Sequence, residues 1–144
     1  MTTDTHLQKF IDAQQHTYGE ALTEIRSGKK RTHWMWFIFP QFRGLGFSTT
    51  SQFYAIQSVE EARAYLSHPV LGFRLREITA ALLDLDEKNA RNIFGSPDDL
   101  KLKSCMTLFS VADDSGDTLF TDVIHQYFTG SPDKKTLQLL NQRN

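Results

Sequence analysis

Residues 33 to 48 gather side-chain types that act on small molecules. Histidine is the side-chain type whose ordinary titration range suits acid–base work, and His33 is the candidate for it. Trp34 and Trp36 offer flat stacking walls, and Gln41 can read polar edges with both donors and an acceptor. Arg43 precedes Gly44 and Gly46, whose bare backbone allows N–H groups to approach an anion closely. Ser48 adds a hydroxyl. Farther along, Lys101 and Ser104 lie three apart and share a face of an expected helix. With Arg43 they can receive the same anion. Aromatic walls with a few convergent polar groups are the usual makeup of a small-molecule pocket. The candidate ligand-binding set is therefore Trp34, Trp36, Gln41, Arg43, Gly44, Gly46, Ser48, Lys101 and Ser104, with His33 as the candidate catalytic residue.

The same aromatics have a plainer reading. Eight of the 17 aromatic residues lie between positions 33 and 54. A small helical domain can use such a segment as its central plug, with the indole N–H groups hydrogen-bonded internally. As a phosphate loop the Gly44–Gly46 segment is incomplete, since it lacks a Lys-Ser/Thr ending and a preceding strand.

Other chemistries find less support. His6, His16, His68 and His125 show no metal-binding spacing, so neither a metal nor a cofactor is expected. Cys105, the single cysteine, falls in a helix interior without a partner that would make it a thiolate nucleophile. Asp98, Asp99, Lys101 and Lys103 read as a charged helix start. Arg26, Lys29, Lys30 and Arg31 form a basic patch before the aromatics, which is the arrangement a single-stranded nucleic acid would use. Against that, 16 Lys and Arg balance 17 Asp and Glu for a net charge of −1. A neutral chain is poorly suited to polyanions or anionic membranes.

At 144 residues the chain is expected to form one domain over 1–144, large enough to need no disulfide or metal. Residues 1–15 lack the apolar core of a signal peptide, and the longest apolar run, Trp34–Pro40, is too short to span a bilayer. The expectation is a cytoplasmic, monomeric protein.

The elements that must position these residues are helical. Leu7, Phe10 and Ile11, then Tyr18, Ala21, Leu22 and Ile25, follow helical spacing up to a stop at Gly28. The two stretches can form one helix, bent near His16. Ser58 and Glu61 make a capping box, and Pro69 ends that helix or begins the next. Leu71, Leu75, Ile78 and Leu82 line a helix to about Asp86. Ser96, Pro97 and Asp98 signal a start for a helix to about Ser110. Phe120 to Phe128 form another, stopped by Gly130, and Ser131-Pro132 opens a last one. No β signal competes. The predicted fold is all-α: an irregular single-domain bundle of six to eight helices.

One longer pattern stands out. His33-Trp-Met-Trp-Phe-Ile-Phe-Pro-Gln41 is followed by Gly44-Leu-Gly46, Tyr54-Ala-Ile and Glu61-Ala-Arg-Ala-Tyr-Leu. After these come His68-Pro, Leu71-Gly72, Ile93-Phe-Gly-Ser-Pro-Asp-Asp-Leu-Lys101 and Met106-Thr-Leu-Phe109. Over about residues 7–140 the chain resembles domain-of-unknown-function family 1810, a group of small, mostly bacterial proteins sometimes labelled calpastatin. The resemblance implies a compact all-helical domain and no particular reaction. A disordered protease inhibitor would look different. The family pattern has a Ser pair before Met-Thr-Leu-Phe, where this chain has Ser104-Cys105.

The expected function is a pocket beside residues 33–54 for a small anionic or nucleotide-like ligand, with or without catalysis. The alternative is a protein-interaction module with exposed aromatics. A third reading, weak nucleic-acid binding, would use residues 26–31.

Overall fold

Ten helices occur among the described residues of the computed structural model, which covers 2–142 and side chains 6–141. They are α1 (Thr2–Gln14), α2 (Tyr18–Arg26), α3 (Met35–Ile38), α4 (Thr49–Phe53) and α5 (Val59–Ser67). The second half holds α6 (Leu71–Leu83), α7 (Ala90–Phe94), α8 (Asp98–Ala112), α9 (Leu119–Phe128) and α10 (Lys134–Gln142). Three of them, α3, α4 and α7, have only four or five residues, too few to show helical periodicity in the sequence. The seven longer ones follow the expected apolar spacing. The structure is thus all-α, as the sequence predicts, with three extra single turns. No helix among the described residues is long and apolar enough to cross a membrane.

The ends follow local chemistry. The N-terminal stretch breaks into α1 and α2 at residues 15–17 rather than bending. Gly28, at φ +82°, closes α2: its N–H donates to Ile25 O, and Lys29 N–H donates to Glu24 O. Ser58 Oγ accepts the Glu61 N–H at the start of α5, while Glu61 reaches back to the Gln57 N–H. His68 Nδ1 accepts from Val70 and Leu71 N–H at the start of α6, a role its sequence position did not advertise. Helix α8 begins at Asp98, after a cis Ser96–Pro97 bond, and Pro97 has no side-chain group to cap it. The last helix is capped by Asp133, whose Oδ2 accepts from the N–H and hydroxyl of Thr136.

The core forms around α8. Leu102, Cys105, Met106, Leu108, Phe109 and Ala112 are all fully buried along one broad face of the helix, with Ser104 and Thr107 buried beside them. A buried face this wide needs several partners, and α5, α7, α9 and α10 pack against it. Helix α6 bridges α2, α5 and α9, and α1 rests on α3 and α5. Gly72 allows α6 to approach the end of α5, since a Cβ there would lie 2.0 Å from Leu66 O.

The aromatic segment enters this core through α3 and leaves it at Phe42. There a short parallel bridge pairs Phe42 with Ile56. Arg43 N–H donates to Ile56 O at 3.0 Å and Ile56 N–H to Gln41 O at 2.9 Å. These bonds tie the neck of a loop over 43–55 that carries α4.

Candidate functional site

The site is assembled from three stretches: the segment 30–41, the tied loop, and the first turns of α8. Glu24 on α2 fixes the first of these. Its buried carboxylate accepts from Arg31 N–H (2.7 Å), Thr32 N–H (3.1 Å), the Thr32 hydroxyl (2.7 Å) and Trp34 Nε1 (2.9 Å). Burial pushes its pKa up, but these donors outweigh it and hold the carboxyl at about 2. Trp34 is 1% exposed and packs on Phe39 and Phe94. Its indole is held as the plug reading describes, though by a carboxylate.

Two residues on, Trp36 emerges on the other side of α3, half-buried. Lys101, from the first turn of α8, places its Nζ 4.4 Å from the Trp36 ring centroid, within cation–π range. Lys30 does the same to Trp34 at 4.9 Å. Asp98 lies between the two lysines, 2.9 Å from Lys30 Nζ and 3.0 Å from Lys101 Nζ. Burial raises the Asp98 pKa, and the two ammonium groups more than reverse this, keeping the carboxyl below its usual range. The triad carries a net charge of +1. Lys30 also donates to Thr32 O at 2.6 Å. The Lys101 ammonium has three donors, and Asp98 is its single hydrogen-bonding partner among the described residues.

Two cavities share Trp36 and Lys101 as a common wall. The smaller, about 180 Å³, is lined by Lys30, His33, Trp34, Trp36, Asp98 and Lys101, among others. The larger, about 420 Å³, is lined by Trp36, Gln41, Gly46, Phe47, Ser48, Leu100, Lys101 and Ser104, among others. Gln41 is 5% exposed, and its Nε2 has no hydrogen-bond partner. The Ser104 hydroxyl lies 3.2 Å from Leu100 O and 3.3 Å from Asp133 Oδ2. Gly46 is required by the wall itself: a Cβ would lie 2.5 Å from Ser51 and 3.0 Å from Trp36.

A match with the model of a protein family, described as a protein of unknown function, DUF1810, spans residues 4–140. The chain belongs to the DUF1810 family. A solved structure similar to this DUF1810 chain is that of the conserved hypothetical protein Rv1873 from Mycobacterium tuberculosis. The two are 46% identical, with 94% of this chain and 96% of that chain covered and a TM-score of 0.91. A comparison with curated proteins finds no match.

The residues singled out from the sequence separate into groups in this DUF1810 fold. Trp36, Gln41, Gly46, Ser48, Lys101 and Ser104 meet at the larger cavity. His33 and Trp34 belong to the smaller one, where His33 is exposed. Arg43 and Gly44 do not join Lys101. They line a neighbouring cleft of about 200 Å³ with Gln57, and Arg43 Nε donates to Gln57 O at 3.1 Å. Gly44, at φ +94°, turns the chain there. The basic patch also divides: Lys30 folds inward onto Trp34 and Asp98, leaving Arg26, Lys29 and Arg31 exposed. Cys105 is fully buried, and burial pushes its thiol pKa well up. No group of three His, Cys, Asp or Glu side chains among the described residues could hold a metal ion.

The sequence reading missed Lys30, Asp98, Phe47 and Leu100 as site residues. Asp98 and Lys101 carry a visible signal in their i, i+3 spacing, which a charged helix start explains equally well. Lys30 has none, because only the fold brings it to Asp98.

Proposed function

We propose that this DUF1810 protein binds a small anionic molecule in the cleft on either side of Trp36 and Lys101. One observation carries the reading. A lysine ammonium rests on an indole face at the junction of two cavities, with a single carboxylate partner. A cation held in place without full neutralisation is a preformed anion receptor. The net +1 charge of Lys30, Asp98 and Lys101 supports this, as does the polar lining from Gln41 and Ser104. His33, at the smaller cavity, is the acid–base candidate if the bound molecule is also transformed.

A screen by thermal shift against nucleotides, sugar phosphates and carboxylates tests the reading. An occupant at about 100 times its Kd adds about 2.7 kcal/mol of stability. A protein that no anion stabilises refutes it.

The second reading, a protein partner docking on exposed aromatics, rests on Phe47 and Phe53, which are 88% and 54% exposed. Phe47 stands with Leu100 at the lining of a concave cavity, which favours a small molecule. Nucleic-acid binding retains only Arg26, Lys29 and Arg31 and is the least supported.

A further inference from the structure

The two cavities differ in chemistry. The smaller has two ammonium groups, a carboxylate and His33. The larger is walled by Trp36, Phe47, Pro97 and Leu100, with Gln41 and Ser104 as polar points. A compact anion fills only the first and leaves about 420 Å³ of mostly apolar space unoccupied. It also leaves Phe47 and Leu100, 88% and 56% exposed, without a contact to cover them.

The Gln41 amide adds a directional demand. It is buried with an unpaired Nε2, a costly state for an amide donor. The last torsion of a Gln side chain is broad and soft, so the amide can turn to meet an acceptor in the cavity it lines. A carboxamide presents donor and acceptor side by side, the pattern that pairs with the edge of an adenine-type base. Trp36 and Phe47 supply aromatic surface of the kind on which bases stack.

We propose that the occupant is a free nucleoside phosphate. Its base occupies the larger cavity with one edge on Gln41, and its phosphate takes the unused donors of Lys101 on the side of the smaller cavity. This rests on the anion-binding reading above and adds the second half of the molecule to it.

Calorimetric titration of the full chain separates the two ideas. The probes are the four common nucleoside 5′-monophosphates, the matching nucleosides and inorganic phosphate. At least one monophosphate is expected to bind at least about tenfold tighter than inorganic phosphate and than its own nucleoside. Monophosphates that bind no tighter than inorganic phosphate overturn the inference while the anion site stands. Failure of all four, with another anion bound, does the same. Gln41→Leu is expected to lower nucleotide affinity at least about tenfold more than it lowers inorganic-phosphate affinity. Should that buried substitution impair folding, Leu100→Ser, at a half-exposed position, is expected to weaken the nucleotide alone. Nucleotide affinity that survives in a folded variant of either kind overturns the proposal.

Discussion

Trp34 donates its indole N–H to Glu24 across 2.9 Å, and both side chains are shut away from solvent. The pair joins α2 to the aromatic segment, and the same carboxylate holds the backbone of Arg31 and Thr32. Glu24→Gln keeps the shape but turns an amide donor toward other donors. The expected loss is about 3 kcal/mol in urea unfolding, from bonds to a charged acceptor and a buried donor left unpaired. Trp fluorescence should shift to the red as Trp34 loosens.

The same carboxylate sets an acid limit. Its pKa is about 2 in the fold against an ordinary 4.5. A group held below its unfolded value stabilises the fold above about pH 4.5, and that contribution is lost as pH falls toward 2. Asp98 and Asp113, also shifted down, act in the same direction. Unfolding midpoints should therefore fall between about pH 5 and 2. The gap between wild type and Glu24→Gln should be constant above that range and close within it. A gap that stays open at low pH contradicts the assignment.

Lys101→Met keeps a stem of similar length along Trp36 and removes the charge. The ion pair to Asp98 is partly exposed, with Lys101 at 23% and Asp98 at 21%. Stability is expected to change by less than about 1 kcal/mol. Anion-dependent rises in Tm should disappear. A variant that keeps them places the anion elsewhere, and Arg43→Ala, on the neighbouring cleft, identifies that alternative.

Gly46→Ala tests the closeness of the loop. The added methyl lies 2.5 Å from Ser51 Cβ and Oγ and 3.0 Å from the Trp36 ring. Ser51 is buried and its hydroxyl is bonded to Ser48 O, so it cannot give way freely. Calorimetry is expected to show a loss of about 1–3 kcal/mol, the usual cost of overpacking. Near-UV circular dichroism should register a moved Trp36.

Cys105 should behave as a reporter and never as a nucleophile. Its thiol is fully buried and its pKa is pushed up by that burial. Iodoacetamide at about pH 8 is expected to leave the folded protein unlabelled and to modify it on unfolding in urea. Rapid labelling of the native chain would contradict this.

Much of the frame was readable from local chemistry. Ser58 with Glu61 announced α5, and Leu71, Leu75, Ile78 and Leu82 announced α6, because caps and apolar spacing act over one or two turns. Lys101 and Ser104 reached one cavity because three residues along a helix fix a shared face. The short helices escaped notice, since four or five residues show no period. Trp34 and Trp36 look equivalent in the sequence. Their separation into core and cavity wall depends on Glu24 capturing one indole across ten positions of chain. Lys30 looked like one of four surface cations, and its partner Asp98 lies on a distant helix, so tertiary contact alone decides its role.

The neck at Phe42 and Ile56 has a consequence for how this architecture can diversify. Residues 43–55 start and finish at one pair of backbone bonds. Exposed positions on a loop supported this way tolerate change more readily than the elements it connects. Phe47 is such a position, Gly46 is held between Ser51 and Trp36, and Lys101 and Ser104 sit on the helix at the centre of the core. Mutation can thus retune the mouth of the larger cavity while its cationic wall stays under the constraint of folding.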